Sequence, residues 1–493
     1  MGLKHHWSIE SIADKLLKTE ICDFQIPLAG KLHLALIFPG SYQTGMSNLG
    51  FLTIHRIACQ TPDVAVERFF FPLQPDLRHE PPFYSLETRR PLGDFDILAF
   101  SISYEGDFEL LPHIIKPLGI PLLREKRKKG RFPLLMAGGA AVTANSKALS
   151  LMFDILVHGE GEMVFENMLK TFLSDGYNKE RISEMPGVWI PEIRKTPTPV
   201  SAHHDVENFP AWSHCISSQN VFNGAPLIEV MRGCKRICKF CMAREIYAPL
   251  RVLSASKFSE FIEKWSNHKQ IGLIAPSLFD HPEIEKILEI LSEKKFSIHN
   301  SSVKWETLNE KILKLLLNLG VKSITLAPES GSEFLRNLMG KPLSELRFFD
   351  TLKLIGLLSF EGVKMYFIVG LPAETDDHLK ETVEFIIKAR QVIPEGVSLS
   401  ASFSGFVPKP HTEWEHEVPI QTSELKKRFA FIRTELNRAA PEIRLKFDSP
   451  EETARQIFFT RAGPELAHYF EEESMKCRPQ LKKIVSGLMQ SDY

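Results

Sequence analysis

Neither sign of charge is in excess in this chain of 493 residues. Lysine plus arginine is 60 and aspartate plus glutamate is 61, a net charge of −1. General nucleic-acid binding, which needs a basic surplus, is thereby not expected. Long apolar runs are missing too. The greasiest, 312–319, is short and holds Lys314 and Asn318, so no membrane-spanning helix is expected. The N-terminus, MGLKHHWSIE, lacks an apolar stretch of signal-peptide length, and His6 stands where a myristoylation motif wants Ser or Thr. Cysteine is scarce: seven residues are too few for a disulfide scaffold. What remains is a globular composition, 43% hydrophobic and 25% charged. At about 150 residues per domain the length suggests roughly three domains.

Short apolar strands alternate with helical patterns along most of the chain. Strands read at 31–40, 94–103, 133–137 and 153–157, several ending in glycine turns such as Gly138-Gly139. Such alternation implies a parallel, doubly wound α/β sheet with ligands at the carboxyl ends of its strands. Residues 176–222 read as a linker with a small hairpin near Gly187–Ile190. From Pro226 a second alternation gives strands at 227–231, 271–275, 297–303, 323–327, 364–369 and 397–403. Helices lie between them, the clearest from Trp305 to Leu319, stopped by Gly320. Six strand–helix units suit a partial (β/α)6 TIM-type barrel, whose functional groups lie at strand C-terminal ends. The expected organisation is an N-terminal segment 1–30, a doubly wound domain 31–175, the linker 176–222, a barrel 223–412 and a helical C-terminal region 413–493.

Three of the seven cysteines fall within eight residues: Cys234, Cys238 and Cys241, spaced C-x3-C-x2-C directly after the first barrel strand. Three thiolates hold three irons of a [4Fe–4S] cluster and leave one iron open to an exogenous chelate, whereas ferredoxin-type carriers normally use four. A structural zinc site usually wants a second cysteine knuckle, which is absent. Lys235, Arg236 and Lys239 add positive charge that favours thiolates. The other cysteines, Cys22, Cys59, Cys215 and Cys477, read as ordinary buried or inert thiols.

This C-x3-C-x2-C pattern, with Phe240 before the last cysteine, resembles the radical S-adenosylmethionine (radical SAM) superfamily, in particular its subset with an N-terminal cobalamin-binding-like domain. The segments Ala327-Pro328-Glu329-Ser330-Gly331-Ser332, Gly370-Leu371-Pro372-Ala373-Glu374-Thr375 and Phe406–Thr412, together with Gly45–Gly50, carry the resemblance over roughly residues 30–415. It implies an enzyme that reductively cleaves SAM at the open iron to a 5′-deoxyadenosyl radical, the cofactors supplying the hard chemistry. Glu329 is then the acceptor for ribose hydroxyls. Ser302, Lys304 and Arg336 are candidates for the methionine carboxylate. Backbone near Phe240, Gly370 and Val407 is expected to face the adenine. The family's Gly-Gly-Glu-like turn is replaced by Ala275–Asp280, where Ser277 or Asp280 stands in for it.

The same resemblance implies cobalamin in the N-terminal domain, with Ser101, Ser103, Gly138 and Gly139 around its nucleotide tail. The D-x-H-x-x-G segment that supplies a histidine to cobalt is absent, and a scaffold that instead recognises substrate is the alternative. Methyl transfer or a radical rearrangement on an unknown substrate follows, with an electron donor such as flavodoxin or ferredoxin, in the cytoplasm. A non-catalytic iron–sulfur redox protein and a methylthiotransferase-like enzyme are the competing readings.

Overall fold

The computed structural model describes all residues except 1, 72–82, 198–202, 300–302, 304 and 473–493. The described residues form two compact units. One runs to Ile228, without Val206–Asn208, and is rejoined by the chain from Arg461; the other spans Glu229–Thr460 with Val206–Asn208. Among the described residues no helix is long and apolar enough to cross a membrane.

In the first unit five parallel strands lie in the spatial order Val64–Phe70, Leu32–Phe38, Ile97–Ser101, Leu134–Gly138, Ile155–Val157. Val188–Trp189, expected in a hairpin, instead adds an antiparallel edge to Ile155–Val157. The order reverses between Leu32–Phe38 and Ile97–Ser101, the switch point at which doubly wound sheets open a ligand crevice. The strand Val64–Phe70 escapes periodicity because Glu67 and Arg68 interrupt an apolar run, yet all seven residues are buried. Their charges are compensated inside. Glu67 accepts from Ser85 Oγ and Thr88 Oγ1, each at 2.6 Å. Arg68 pairs with Glu20 at 2.7 Å and Glu87 at 2.6 Å. A buried charge is tolerated when it is paired and hydrogen-bonded.

One expectation in this unit is overturned. Cys22 and Cys215 are not free thiols but a disulfide. The strands Glu20–Cys22 and Cys215–Ser217 run antiparallel and set the two residues directly opposite each other. A separation of 193 residues hid the pair from the sequence. Cys59 is free, and Cys477 lies outside the described residues.

In the second unit Gln270–Ile274 runs parallel to Ser297–His299. A four-stranded parallel sheet follows, in the order Ser323–Glu329, Gly362–Val369, Ser398–Gly405, Arg444–Phe447. Val230 N–H donates to the Ile274 carbonyl at 3.0 Å and Val303 N–H to Thr325 at 2.7 Å, so the backbone continues between these groups. The strand Arg444–Phe447 lies in the stretch expected to be helical; it pairs with Ser398–Gly405 between the helices Thr422–Ala439 and Pro450–Arg461. Four residues with two charges gave no apolar run. The core of this sheet is aromatic on one face. Phe367, Phe403 and Phe447 stack in sequence, with centroids 5.4 and 4.7 Å apart, beneath Phe385 and Phe429 of the helices Asp376–Val392 and Thr422–Ala439.

Candidate functional site

The three clustered cysteines lie on one loop after the short strand Met231–Arg232, which pairs with Arg251–Val252. All three are free and partly buried. Arg236 N–H donates to Cys234 Sγ at 3.5 Å, and Cys241 caps the helix Met242–Ile246. Burial pushes the Cys238 thiol up to about 11 and raises that of Cys241; Lys341 opposes both shifts. A metal bound by these thiols would displace their protons.

The loop is clamped from several sides. Lys239 N–H donates to the Met339 carbonyl at 3.0 Å, and Trp414 N–H to the Lys239 carbonyl at 3.2 Å. Phe240 packs on a buried group of Leu335, Met339, Leu371, Phe406 and Trp414. Gly340 has φ +75, and a Cβ there would lie 2.5 Å from the Ile237 carbonyl oxygen. Only glycine permits that approach of the Glu333–Leu338 helix end to the cysteine loop.

Around the loop Arg236 and Arg336 are held by other partners, and Lys341, paired with Glu329, is a cation whose charge acts on the thiols. Arg236 donates twice to Asp280, at 2.9 and 2.6 Å, and Ser277 Oγ donates to Asp280 Oδ2 at 2.8 Å. The turn at Ala275–Asp280 thus holds the cysteine loop through a bidentate pair. Arg336 is fully buried. It donates to the Ser330 and Gly331 carbonyls at 3.0 and 2.7 Å and to Glu345 at 2.9 Å, and it stacks over Phe385. Its guanidinium shapes the turn after Glu329, a role that sequence position alone did not separate from carboxylate binding. Lys341 is the cation that sequence reasoning missed. Its Nζ donates to Glu329 Oε1 at 2.6 Å, and its charge acts on Cys238, Cys241 and Glu306. Its proximity depends on the Gly340 turn, which no spacing rule reveals.

Glu329 closes its strand with φ +68 at a register shift against Gly362–Val369. A non-glycine residue held in the left-handed region is strain of the kind that gathers at functional sites. Gly370 N–H donates to Glu374 Oε2 at 2.6 Å, and Arg428 holds the same carboxylate oxygen at 2.8 Å. Burial pushes Glu374 up to about 7, against the pull of both donors. Val407 is half-buried just after Phe406, whose N–H donates to the Val369 carbonyl at 2.9 Å. Ser302 and Lys304 lie outside the described residues. The structure therefore brings Phe240 beside the cysteines and Glu329 beside Lys341, and ties Ser277 to Asp280.

In the first unit, Ser101 and Ser103 follow one side of the switch point and Asn48 the other. Asn48 Nδ2 donates to Ser103 Oγ at 2.9 Å across it. Gly138 and Gly139 end the neighbouring strand. Gly139 has φ +114 and a Cβ there would meet the Ile102 carbonyl oxygen at 2.4 Å, so its glycine is required by the fold itself.

Family models match both units. Residues 50–191 match the N-terminal region of radical SAM proteins, and residues 228–386 match the radical SAM superfamily. The chain belongs to the radical SAM superfamily. An uncharacterized protein of Methanocaldococcus jannaschii is 27% identical over 444 residues, 89% of this chain and 90% of that protein. The anaerobic magnesium-protoporphyrin IX monomethyl ester cyclase of Cereibacter sphaeroides is 24% identical over 249 residues, 46% of this chain and 40% of that enzyme. Among solved structures, the radical SAM methyltransferase TsrM of Kitasatospora setae, with cobalamin and a [4Fe–4S] cluster bound, gives a TM-score of 0.58 at 13% identity. The match covers 78% of this chain and 77% of that one. The cobalamin-dependent radical SAM enzyme OxsB, with aqua-cobalamin and SAM bound, gives 0.53 at 16% identity, covering 72% and 52%. These two likenesses show the fold.

Proposed function

We propose that this radical SAM enzyme holds a [4Fe–4S] cluster on Cys234, Cys238 and Cys241 and cleaves SAM reductively at the iron those thiolates leave open. The observation that carries the reading is the donor set: three free thiols on one clamped loop, with Glu329 and Lys341 beside them. When bound, the cluster and SAM supply a 5′-deoxyadenosyl radical. The chain's own residues bind and orient. Glu329 accepts from the ribose hydroxyls. Lys341, in place of the committed Arg336, receives the methionine carboxylate. The Asp280–Arg236 pair fixes the loop, and Ser277 stands near SAM's amino end. Glu374 pins the Gly370 backbone, which with Phe240 and Val407 borders the adenine. The β/α units act as an open TIM-type barrel around this site.

Cobalamin belongs to the same reading. The switch-point crevice with Ser101, Ser103, Gly138 and Gly139 is where a doubly wound domain takes such a ligand, and TsrM and OxsB carry it on a like fold. No histidine is offered from the Pro39–Gly45 loop, so cobalt would be bound without one. The reaction is methyl transfer or a radical rearrangement on a small molecule, fed by a flavodoxin- or ferredoxin-type donor in the cytoplasm. Anaerobic reconstitution tests the proposal. About four irons per chain are expected, with iron lost in Cys238→Ala. Stoichiometric zinc, or full iron in that variant, contradicts it. A retained corrinoid spectrum after expression with cobalamin tests the second cofactor, and its absence removes that part.

A further inference from the structure

The four-stranded sheet of the second unit has two faces of opposite character. One is buried under helices by Phe367, Phe403 and Phe447. The other is set by register. Thr325, Lys364, Ser400 and Arg444 form one cross-strand row, because Thr325 pairs with Lys364, Lys364 with Ser400 and Ser400 with Arg444. Tyr366, Ser402 and Lys446 form the next row. Residues two apart on a strand share a face, so both rows lie on the side away from the phenylalanines. A packed barrel interior would fill such rows with branched aliphatics. Here they hold hydroxyls, a tyrosine and three cations. Tyr366 is 38% exposed, Arg444 and Lys446 are exposed, and Lys364 is half-buried with its ammonium 4.7 Å from the Tyr366 ring centroid.

None of the three cations has a carboxylate partner among the described residues, although surface lysines elsewhere commonly pair. The only acid on these four strands is Glu329, at their C-terminal end, and Lys341 neutralises it. A chain of net charge −1 thus concentrates about three uncompensated positive charges on one face of this sheet. Clustered charge of one sign on an accessible face is a recognition feature for the opposite sign.

We propose that the substrate is a small molecule carrying at least two anionic groups, carboxylates or phosphates, held by Lys364, Arg444 and Lys446 with a hydrogen bond from Ser400. The proposal rests on the radical SAM reading for its placement. Tyr366 offers the substrate a flat contact between the two rows. The anionic groups anchor the end of the molecule remote from Glu329, which leaves its other end toward the thiol loop.

The test uses the full reconstituted chain and two probes, citrate and inorganic pyrophosphate, titrated calorimetrically at low and moderate salt. One molar equivalent of at least one probe is expected to bind, more weakly as salt rises. The Lys364→Gln/Arg444→Gln/Lys446→Gln variant should lose at least about tenfold in affinity. Its iron content and melting temperature should match the parent. Preference for citrate or pyrophosphate distinguishes carboxylate from phosphate recognition. Absence of binding by the parent, or unchanged affinity in the variant, overturns the proposal. If the triple variant melts early, the single Lys446→Gln variant at an exposed position replaces it, with a loss of about threefold expected and none refuting. A parent that binds the anion but takes up no iron instead refutes the cluster reading and spares this one.

Discussion

Gly340 is the position where backbone conformation and the thiol loop depend on each other most directly. An alanine there meets two costs. At φ +75 the left-handed conformation is disfavoured for a residue with a Cβ by about 1–2 kcal/mol. The added Cβ would also sit 2.5 Å from the Ile237 carbonyl oxygen, a backbone atom that cannot rotate aside. Gly320 separates the two. It has φ +82, but its nearest neighbour to an added Cβ is Ser297 at 3.4 Å, an ordinary contact. Gly320→Ala should therefore cost about 1–2 kcal/mol from backbone strain alone. Gly340→Ala should cost about 2–5 kcal/mol, since overpacking adds about 1–3 kcal/mol. For units of this size that is a lowering of the melting temperature by roughly 4–20 °C. Because the clash pushes on the loop between Cys234 and Cys238, the variant should also retain less iron after desalting, while Gly320→Ala retains the parent's amount. Thermal melts of apoprotein and iron assays of reconstituted protein decide it. Equal melting temperatures and equal iron in the two variants would refute the clamp.

Other outcomes follow from the same geometry. Lys341→Met should weaken SAM binding to iron-loaded protein in equilibrium dialysis by about tenfold or more, the worth of a charge-assisted bond; an unaltered affinity rules Lys341 out. Asp280→Asn removes the bidentate partner of Arg236 and should lower iron retention more than Ser277→Ala does, an order that reversed retention would contradict. Burial and the neighbouring Glu105 push Asp107 up to about 7, above its unfolded value. Its contribution to stability is therefore present at low pH and lost as pH rises through about 7. Asp107→Asn should melt higher than the parent at pH 8, with a gain that shrinks steadily toward pH 4; a gain independent of pH argues against this. With Cys22 and Cys215 joined, two of the seven cysteines resist alkylation in denatured, unreduced apoprotein, and five take label. Seven labels refute the bond.

Strand–helix alternation was legible because most strands here are buried runs, and of the expected helical stripe Leu308, Ile312, Leu315, Leu316 and Leu319 all but the half-buried Leu315 are buried. It failed where charge sits inside a strand. Val64–Phe70 carries Glu67 and Arg68, whose partners lie far away in sequence, and Arg444–Phe447 alternates charge with apolar residues on an edge strand. The cysteine trio was legible because all its members fall on one loop. Arg336 and Lys341 were not, since spacing puts both after Glu329. Only the turn at Gly340 decides which cation faces the thiols and which folds back to hold Ser330, Gly331 and Glu345. The disulfide and the basic face share that reason. Each is assembled by strand pairing between distant segments, and a single sequence carries no record of register.

The most direct measurement is of SAM turnover. Anaerobically reconstituted protein, reduced with dithionite and mixed with SAM, should form 5′-deoxyadenosine and methionine, resolved by chromatography, with neither formed by Cys238→Ala. An iron-loaded protein that returns all its SAM intact, or a Cys238→Ala variant as active as the parent, contradicts the assignment of the open iron to this loop.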